Sequence, residues 1–242
     1  MLLIHGLFGN LDNLAMLRRQ LNDDFNIVSI DLPDHGKSQH STQFSFTRYA
    51  ESVTELLIEL KITEVSIVGH SLGGKVAMQI ALEHNDLVRS LVVLDIAPVN
   101  YEPRHENVFK SLRNVKLNQV HQRSDADSMM SEYLTEPSVK QFLLKGLYQD
   151  SVSNTWHWRF NLDLLYREYN RLSKALESAH SYIKPVLFLK GELSDYLQPE
   201  YTKQTMELFP ASRVRVIRGT GHWLHAEKPK DCAKHIRTFL LN

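Results

Sequence analysis

Glu64-Val65-Ser66-Ile67-Val68-Gly69-His70-Ser71-Leu72-Gly73-Gly74-Lys75-Val76-Ala77 is the stretch on which the fold turns. Glu64–Val68 reads as a buried strand, because it is a short apolar run rich in Val and Ile. Leu72–Glu83 reads as a helix, with Val76, Ala77, Ile80 and Ala81 recurring at helical spacing. Between them lies Gly69-His70-Ser71-Leu72-Gly73, a G-x-S-x-G turn followed by an extra glycine. A strand before and a helix after are the context of a nucleophile elbow, in which the serine sits on a strained turn at the top of a sheet. Gly69 and Gly73 are expected where strand and helix close on each other and a side chain would clash. The helix N-terminus offers the Leu72 N–H beside the serine as a donor for an oxyanion. A tight turn with an incidental serine is the alternative.

Working outward, the first half of the chain alternates strands and helices. Leu2–Ile4, Asn26–Ile30 and Ser90–Asp95 are further strand candidates. Leu11, Leu14, Leu17 and Leu21 mark one helix, and Ala50, Val53, Leu57 and Leu60, after Ser45 as N-cap, mark another. Such alternation implies an α/β fold with a mostly parallel sheet flanked by helices. Residues 98–181 break the pattern. They contain no convincing strand and four helix candidates, Asn107–Val115, Ser124–Tyr133, Pro137–Leu147 and Leu162–Leu176. They are expected to form a helical cap over a core made of residues 1–97 and 182–242. Strands resume at Pro185–Leu189 and Ser212–Ile217. The alternation of Arg213, Val214, Arg215 and Val216 marks the second as near an edge, with one wet face. Helices over Pro199–Leu208 and Lys228–Leu240 complete the chain.

Two more pieces complete a site. His5-Gly6-Leu7-Phe8-Gly9 follows the first strand, where a second oxyanion donor belongs, and Leu7 is the candidate. His5 itself is expected to bond within its loop. Gly219-Thr220-Gly221-His222-Trp223 follows the last strand. A serine nucleophile needs a base from the same end of the sheet, and His222 has that position and chain order. His225, one turn on, is the rival. Twelve histidines are too many to be all catalytic. His35, His84, His121 and His235 read as surface or turn residues, and His105 and His157 as candidates to line a pocket.

Composition excludes other classes. Lys plus Arg equals Asp plus Glu at 28 each, so no basic surplus supports nucleic-acid binding as a main role. With 43% hydrophobic and 23% charged residues the chain is neither disordered nor fibrous. No apolar run approaches the ~18 residues of a membrane span, and no secretory signal is evident. One cysteine, Cys232, fits a reducing, cytoplasmic setting. No H-E-x-x-H or clustered Cys/His set calls for a metal, and no cofactor is expected.

The chain resembles the α/β-hydrolases and, more narrowly, the YbfF-type bacterial esterases. The matching pieces are His5–Asn10, Asp31–Ser38, Gly69–Lys75, Asp95–Tyr101 and Gly221–Pro229. The Asp-Ile-Ala-Pro-Val-Asn-Tyr and Gly-His-Trp-Leu-His-Ala-Glu-Lys-Pro runs are the subfamily-specific ones. The resemblance implies hydrolysis of short to medium acyl esters, and of acyl-CoA thioesters, through a Ser-His-Asp triad and an acyl-enzyme. The partner would be a small-molecule ester or thioester. Two aspartates compete to orient His222. Asp195 follows the strand Pro185–Leu189, where most α/β-hydrolases keep the acid, but its spacing from Gly191 is one residue too long. Asp95 ends the preceding core strand, and the resemblance points to it. Substrate contacts are expected from Phe8, His70, Arg104, His105 and Trp223, and from an aromatic-basic cluster around Trp156 and Arg159. The bland reading of that cluster is that its tryptophans anchor the cap. Competing functions are C–C bond hydrolysis, a quinone-pathway thioester synthase, haloperoxidase chemistry, or a ligand-binding protein that borrowed the fold. Relatives carry a segment, including an edge strand, before the His-Gly strand. The present chain starts inside that strand, so an edge strand is expected to be missing and an upstream segment to raise thermal stability.

Overall fold

The apolar runs assemble into one six-stranded, all-parallel sheet in the computed structural model, which describes residues 1–241. The strands are β1 (Leu2–Ile4), β2 (Val28–Ile30), β3 (Val65–His70), β4 (Val88–Leu94), β7 (Val186–Gly191) and β8 (Ser212–Ile217), in the order β2-β1-β3-β4-β7-β8. Strand periodicity divides their side chains between two cores. Leu2, Ile4, Ile67, Leu91, Val93, Val186 and Phe188 point to one face, which α2 (Phe46–Glu59) and α3 (Leu72–Glu83) cover. Leu3, Val68, Val92, Leu94, Leu187 and Leu189 point to the other, under α1 (Ala15–Leu21) and α11 (Pro229–Leu241). Both faces being covered explains why these strands read as continuous apolar runs.

The outermost strand differs from expectation. Arg213, Val214, Arg215 and Val216 are all exposed, so both faces of β8 are wet there. The strand has a single partner, β7, and only Ile217 reaches a core. At the opposite edge β2 pairs with β1 alone.

Between β4 and β7 run α4 (Glu106–Asn114), α5 (Arg123–Met130), α6 (Pro137–Leu144), α7 (Leu162–Arg167) and α8 (Tyr169–Leu172). The expectation of no strand in this segment is corrected. Leu147–Gln149 (β5) pairs antiparallel with Trp156–Trp158 (β6). The Asp150 side chain accepts from the N–H groups of Val152 and Ser153, and Asn154 takes φ 56°, which closes the hairpin. The preceding helix ends at Leu144, with Lys145 as its C-cap, short of its expected limit at Leu147. Leu162–Leu176, read as one helix, breaks at Glu168 (φ −94°, ψ 7°). The two ends of the segment run side by side: Tyr101 N–H donates to Ser173 O (2.9 Å), and Leu176 N–H to Pro98 O (3.2 Å). A second tie lies far from these ends. Asn161 donates through its amide to buried Asp34 Oδ1 (2.8 Å) and through its backbone to Asp34 O (2.9 Å).

Candidate active site

Ser71 sits where β3 turns into α3, with φ 51° and ψ −117°. A non-glycine residue there is strained by order 1–3 kcal/mol and needs surrounding structure to hold it. The holding contacts are Ser71 N–H to Leu94 O (3.0 Å) and Lys75 N–H to Ser71 O (3.1 Å). A Cβ on Gly69 would collide with the Gly73 carbonyl, and one on Gly73 with the carbonyls of Ile4 and His5. The two glycines therefore let α3 close both on β3 and on the end of β1. Leu72 opens α3, so its N–H is among those a helix leaves without an internal partner.

The loop after β1 is fastened by His5. Its Nδ1–H donates to Gly6 O (2.8 Å), and its Nε2 accepts from Leu32 N–H (3.0 Å), which fixes one neutral tautomer. Burial lowers its pKa to about 4. Gly9 N–H closes a turn onto Gly6 O (3.0 Å), and Phe8 is held at φ 61°. Leu7 and Phe8 both line the cleft that contains Ser71.

Asp95 follows β4, fully buried and at φ 53°. Its Oδ1 accepts from Gly191 N–H (2.9 Å), and its Oδ2 from the Ser194 hydroxyl and from His222 Nδ1 (2.8 Å). Asp195 is placed elsewhere. Its exposed carboxylate pairs with Arg104 at 2.6 Å. The residue before it, Ser194, is the one that touches Asp95. Tyr196 then lays its ring on His222 at 4.1 Å and 24°, and Arg104 covers the Tyr196 ring at 5.0 Å. Ser194 and Tyr196 have no G-x-S-x-G-like signature; their only sequence signal was adjacency to Asp195.

His222 is also held from below. His70 Nε2–H donates to His222 O (2.9 Å), and the His70 ring packs on His225 at 4.2 Å. His225 is buried inside α10 (Leu224–Glu227), with Nδ1 unpartnered. Burial drives the pKa of His70 well below its ordinary value, and that of His225 to about 3. Burial also lowers His105 to about 4; its ring shares a 2.5 Å hydrogen bond with the Tyr169 hydroxyl. Every imidazole around His222 is thus neutral near pH 7. His35, expected as a surface or turn residue, lies in the turn after β2 but is buried there, packs on His5 at 5.3 Å and belongs to the same interior set.

Two spaces meet at Ser71. One is a cleft of about 850 Å³, lined among others by Phe8, His70, Arg104, His105, His222 and Trp223. Phe142, which sequence did not single out, packs on Trp223 at 5.4 Å in this cleft. The other is a cavity of about 50 Å³ lined, among others, by Leu7, Ser71, Leu72, Ile96, Tyr101 and Leu172, and it shares Arg104, His105 and Tyr196 with the cleft. His222 lines the first and not the second. Trp156 and Arg159 line neither, a correction to the expected cluster. Hairpin pairing sets Trp156 opposite Gln149, and the Arg159 guanidinium lies over Tyr148 at 4.4 Å. His157 likewise bonds Thr155 and lines neither of Ser71's spaces. Among the described residues no group of three or more His, Cys, Asp or Glu is arranged to hold a metal. None of the described helices is long and apolar enough to cross a membrane.

A parallel sheet with a serine on its central elbow, a histidine loop after the last strand and an acid between them defines a class. The chain belongs to the α/β-hydrolases: the family described as alpha/beta hydrolase fold matches residues 1–229. It is 36% identical to "Esterase YbfF" of Escherichia coli (strain K12), over 98% of this chain and 91% of that one. It is 33% identical to "sn-1-specific diacylglycerol lipase ABHD11" of Mus musculus, over 98% of this chain and 79% of that one. Among solved structures, "Marine microorganism esterase" superposes with a TM-score of 0.95 at 31% identity, covering 99% of this chain and 94% of that one. The chain is a hydrolase of esterase/lipase type.

Proposed function

We propose that the chain is a serine esterase whose triad is Ser71, His222 and Asp95. The observation that carries this reading is the 2.8 Å contact between His222 Nδ1 and buried Asp95, at the cleft that also holds Ser71. With Nδ1–H committed to Asp95, the imidazole's free lone pair is on Nε2. That atom takes the Ser71 proton as Oγ attacks an ester carbonyl. The Leu7 and Leu72 N–H groups receive the oxyanion. As the tetrahedral species collapses, Nε2–H protonates the departing oxygen. Water then repeats the sequence on the acyl-enzyme. Because the surrounding imidazoles are neutral, the positive charge on His222 in these steps meets the Asp95 carboxylate without a competing imidazolium beside it.

The same logic orients the substrate. The leaving group must receive its proton from His222, so it belongs in the large cleft that His222 lines. The acyl chain then points into the small cavity, whose about 50 Å³ accommodates roughly a few water-sized groups. The substrate class is accordingly a short acyl chain on a bulky alcohol. Acyl-CoA thioesters form a second class by the same steps, since a thiolate leaves from the same side. Arg104, which lines the cleft with Lys145, is already paired with Asp195, so it lends that class limited charge. Residues 98–181 act as the cap that closes both spaces. A buried lone thiol, Cys232, supports a cytoplasmic setting. A fluorophosphonate probe tests the whole reading. Labelling at Ser71, lost in Ser71→Ala, is expected; no labelling of a folded chain would leave the ligand-binding alternative.

A further inference from the structure

Lys75 lies one turn along α3 from Ser71 and is 2% exposed. Its ammonium donates to Val99 O (3.1 Å), Ser173 O (3.3 Å) and Lys174 O. None of the three acceptors is a carboxylate, so the charge is buried against carbonyl dipoles and against the faces of Tyr101 (5.1 Å) and Phe46 (5.5 Å). Burial accordingly pulls its pKa down to about 7. A buried cation of this kind is costly and persists only where its donors are used. Val99 stands where the chain leaves the core for the cap, and Ser173 and Lys174 stand where it returns. The two hinge segments also bond each other, through Tyr101 N–H to Ser173 O and Ala175 N–H to the Asn100 side chain (2.9 Å). The ammonium ties both to the helix that carries the nucleophile. Lys75, Tyr101, Leu172 and Ser173 are also walls of the small cavity beside Ser71.

We propose that Lys75 is a specificity-determining residue: by pinning the two cap hinges to α3 it fixes the volume of the cavity beside Ser71 and so caps the length of the acyl chain. This rests on the reading that Ser71 is the esterase nucleophile and that the acyl chain enters that cavity. A methionine at this position keeps the stem but removes all three donors. The Val99 and Lys174 carbonyls must then turn to find water, and the Tyr101 and Leu172 walls move with them.

The experiment is kcat/KM for p-nitrophenyl acetate, butyrate, hexanoate and octanoate with wild type, Lys75→Met, Lys75→Arg and Leu172→Ala, each checked by thermal melting. The hexanoate-to-acetate ratio is expected to rise at least tenfold in Lys75→Met and in Leu172→Ala, and to stay near wild type in Lys75→Arg, which keeps charge and donors. A simple loss of stability lowers all esters together and leaves the ratio alone. A cooperatively melting Lys75→Met with a ratio within twofold of wild type would overturn the proposal. If that variant does not melt cooperatively, the Leu172→Ala and Lys75→Arg pair decides, and either one departing from its expected ratio overturns it. Wild type that cleaves none of the esters instead removes the esterase reading beneath it.

Discussion

Two carboxylates one strand apart have opposite surroundings. Asp95 is dry and takes hydrogen bonds from a backbone N–H, a hydroxyl and an imidazole; Asp195 is wet and holds one arginine. A triad acid must fix a tautomer, which only the first can do. Asp95→Asn is therefore expected to lower kcat by about 10⁴, the loss typical of a triad acid, while Asp195→Asn stays within a few-fold of wild type. Comparable losses at both positions would sink this assignment. The elbow was legible in sequence because everything it needs is local: a strand, two glycines and a helix within a few residues. The acid was not, because Asp95 and His222 meet across 127 residues of chain. Spacing alone left two aspartates open, and only the resemblance chose between them.

The same limit governs the β5–β6 hairpin. Trp156, His157 and Trp158, aromatic and adjacent, read either as a pocket cluster or as tryptophan anchors of the cap, and a three-residue strand sends such neighbours to opposite faces. Trp158 stacks on Phe160 in the core, while Arg159 covers Tyr148. On the proposed reading the hairpin is an internal brace of the cap, and the helix that supplies Phe142, which lines the cleft at Ser71, faces the substrate. Trp156→Ala and Arg159→Ala should leave kcat/KM within about twofold. The arginine change should lower the melting temperature by roughly 2–4 °C, if its cation–π contact contributes about 1 kcal/mol. Trp223→Ala, by contrast, should raise KM about tenfold, the equivalent of ~1.4 kcal/mol of lost apolar contact. A kinetic effect at Arg159 equal to that at Trp223 would return the hairpin to the site.

Across the whole molecule, the excess of histidine now has a physical meaning. His5, His35, His70 and His225 are buried neutral and half-buried His105 is neutral with them, chiefly because burial disfavours their charged forms. Their folded pKa values lie below the ordinary value near 6.5, so the unfolded chain binds protons that the folded chain refuses. By linkage, stability is intact above about pH 6.5 and falls as pH drops toward about 4, where His5 and His105 begin to charge. Each such group contributes at most ~1.4 kcal/mol per pH unit in that window. The melting temperature should be level from pH 7 to 8 and decline steeply from 6.5 downward; a level trace to pH 5 would refute the argument. The parallel core and its flanking helices were readable from apolar periodicity, whereas the interior imidazoles were not, since a histidine's burial depends on partners distant in sequence. The unequal spaces on either side of Ser71 carry one more consequence, for the order of events in time. On the proposed reading the alcohol departs first and empties the roomy side, while the acyl group stays anchored in the narrow one. Water and any dissolved alcohol then compete for the vacated side, so added alcohol should divert the acyl group from acid into a new ester.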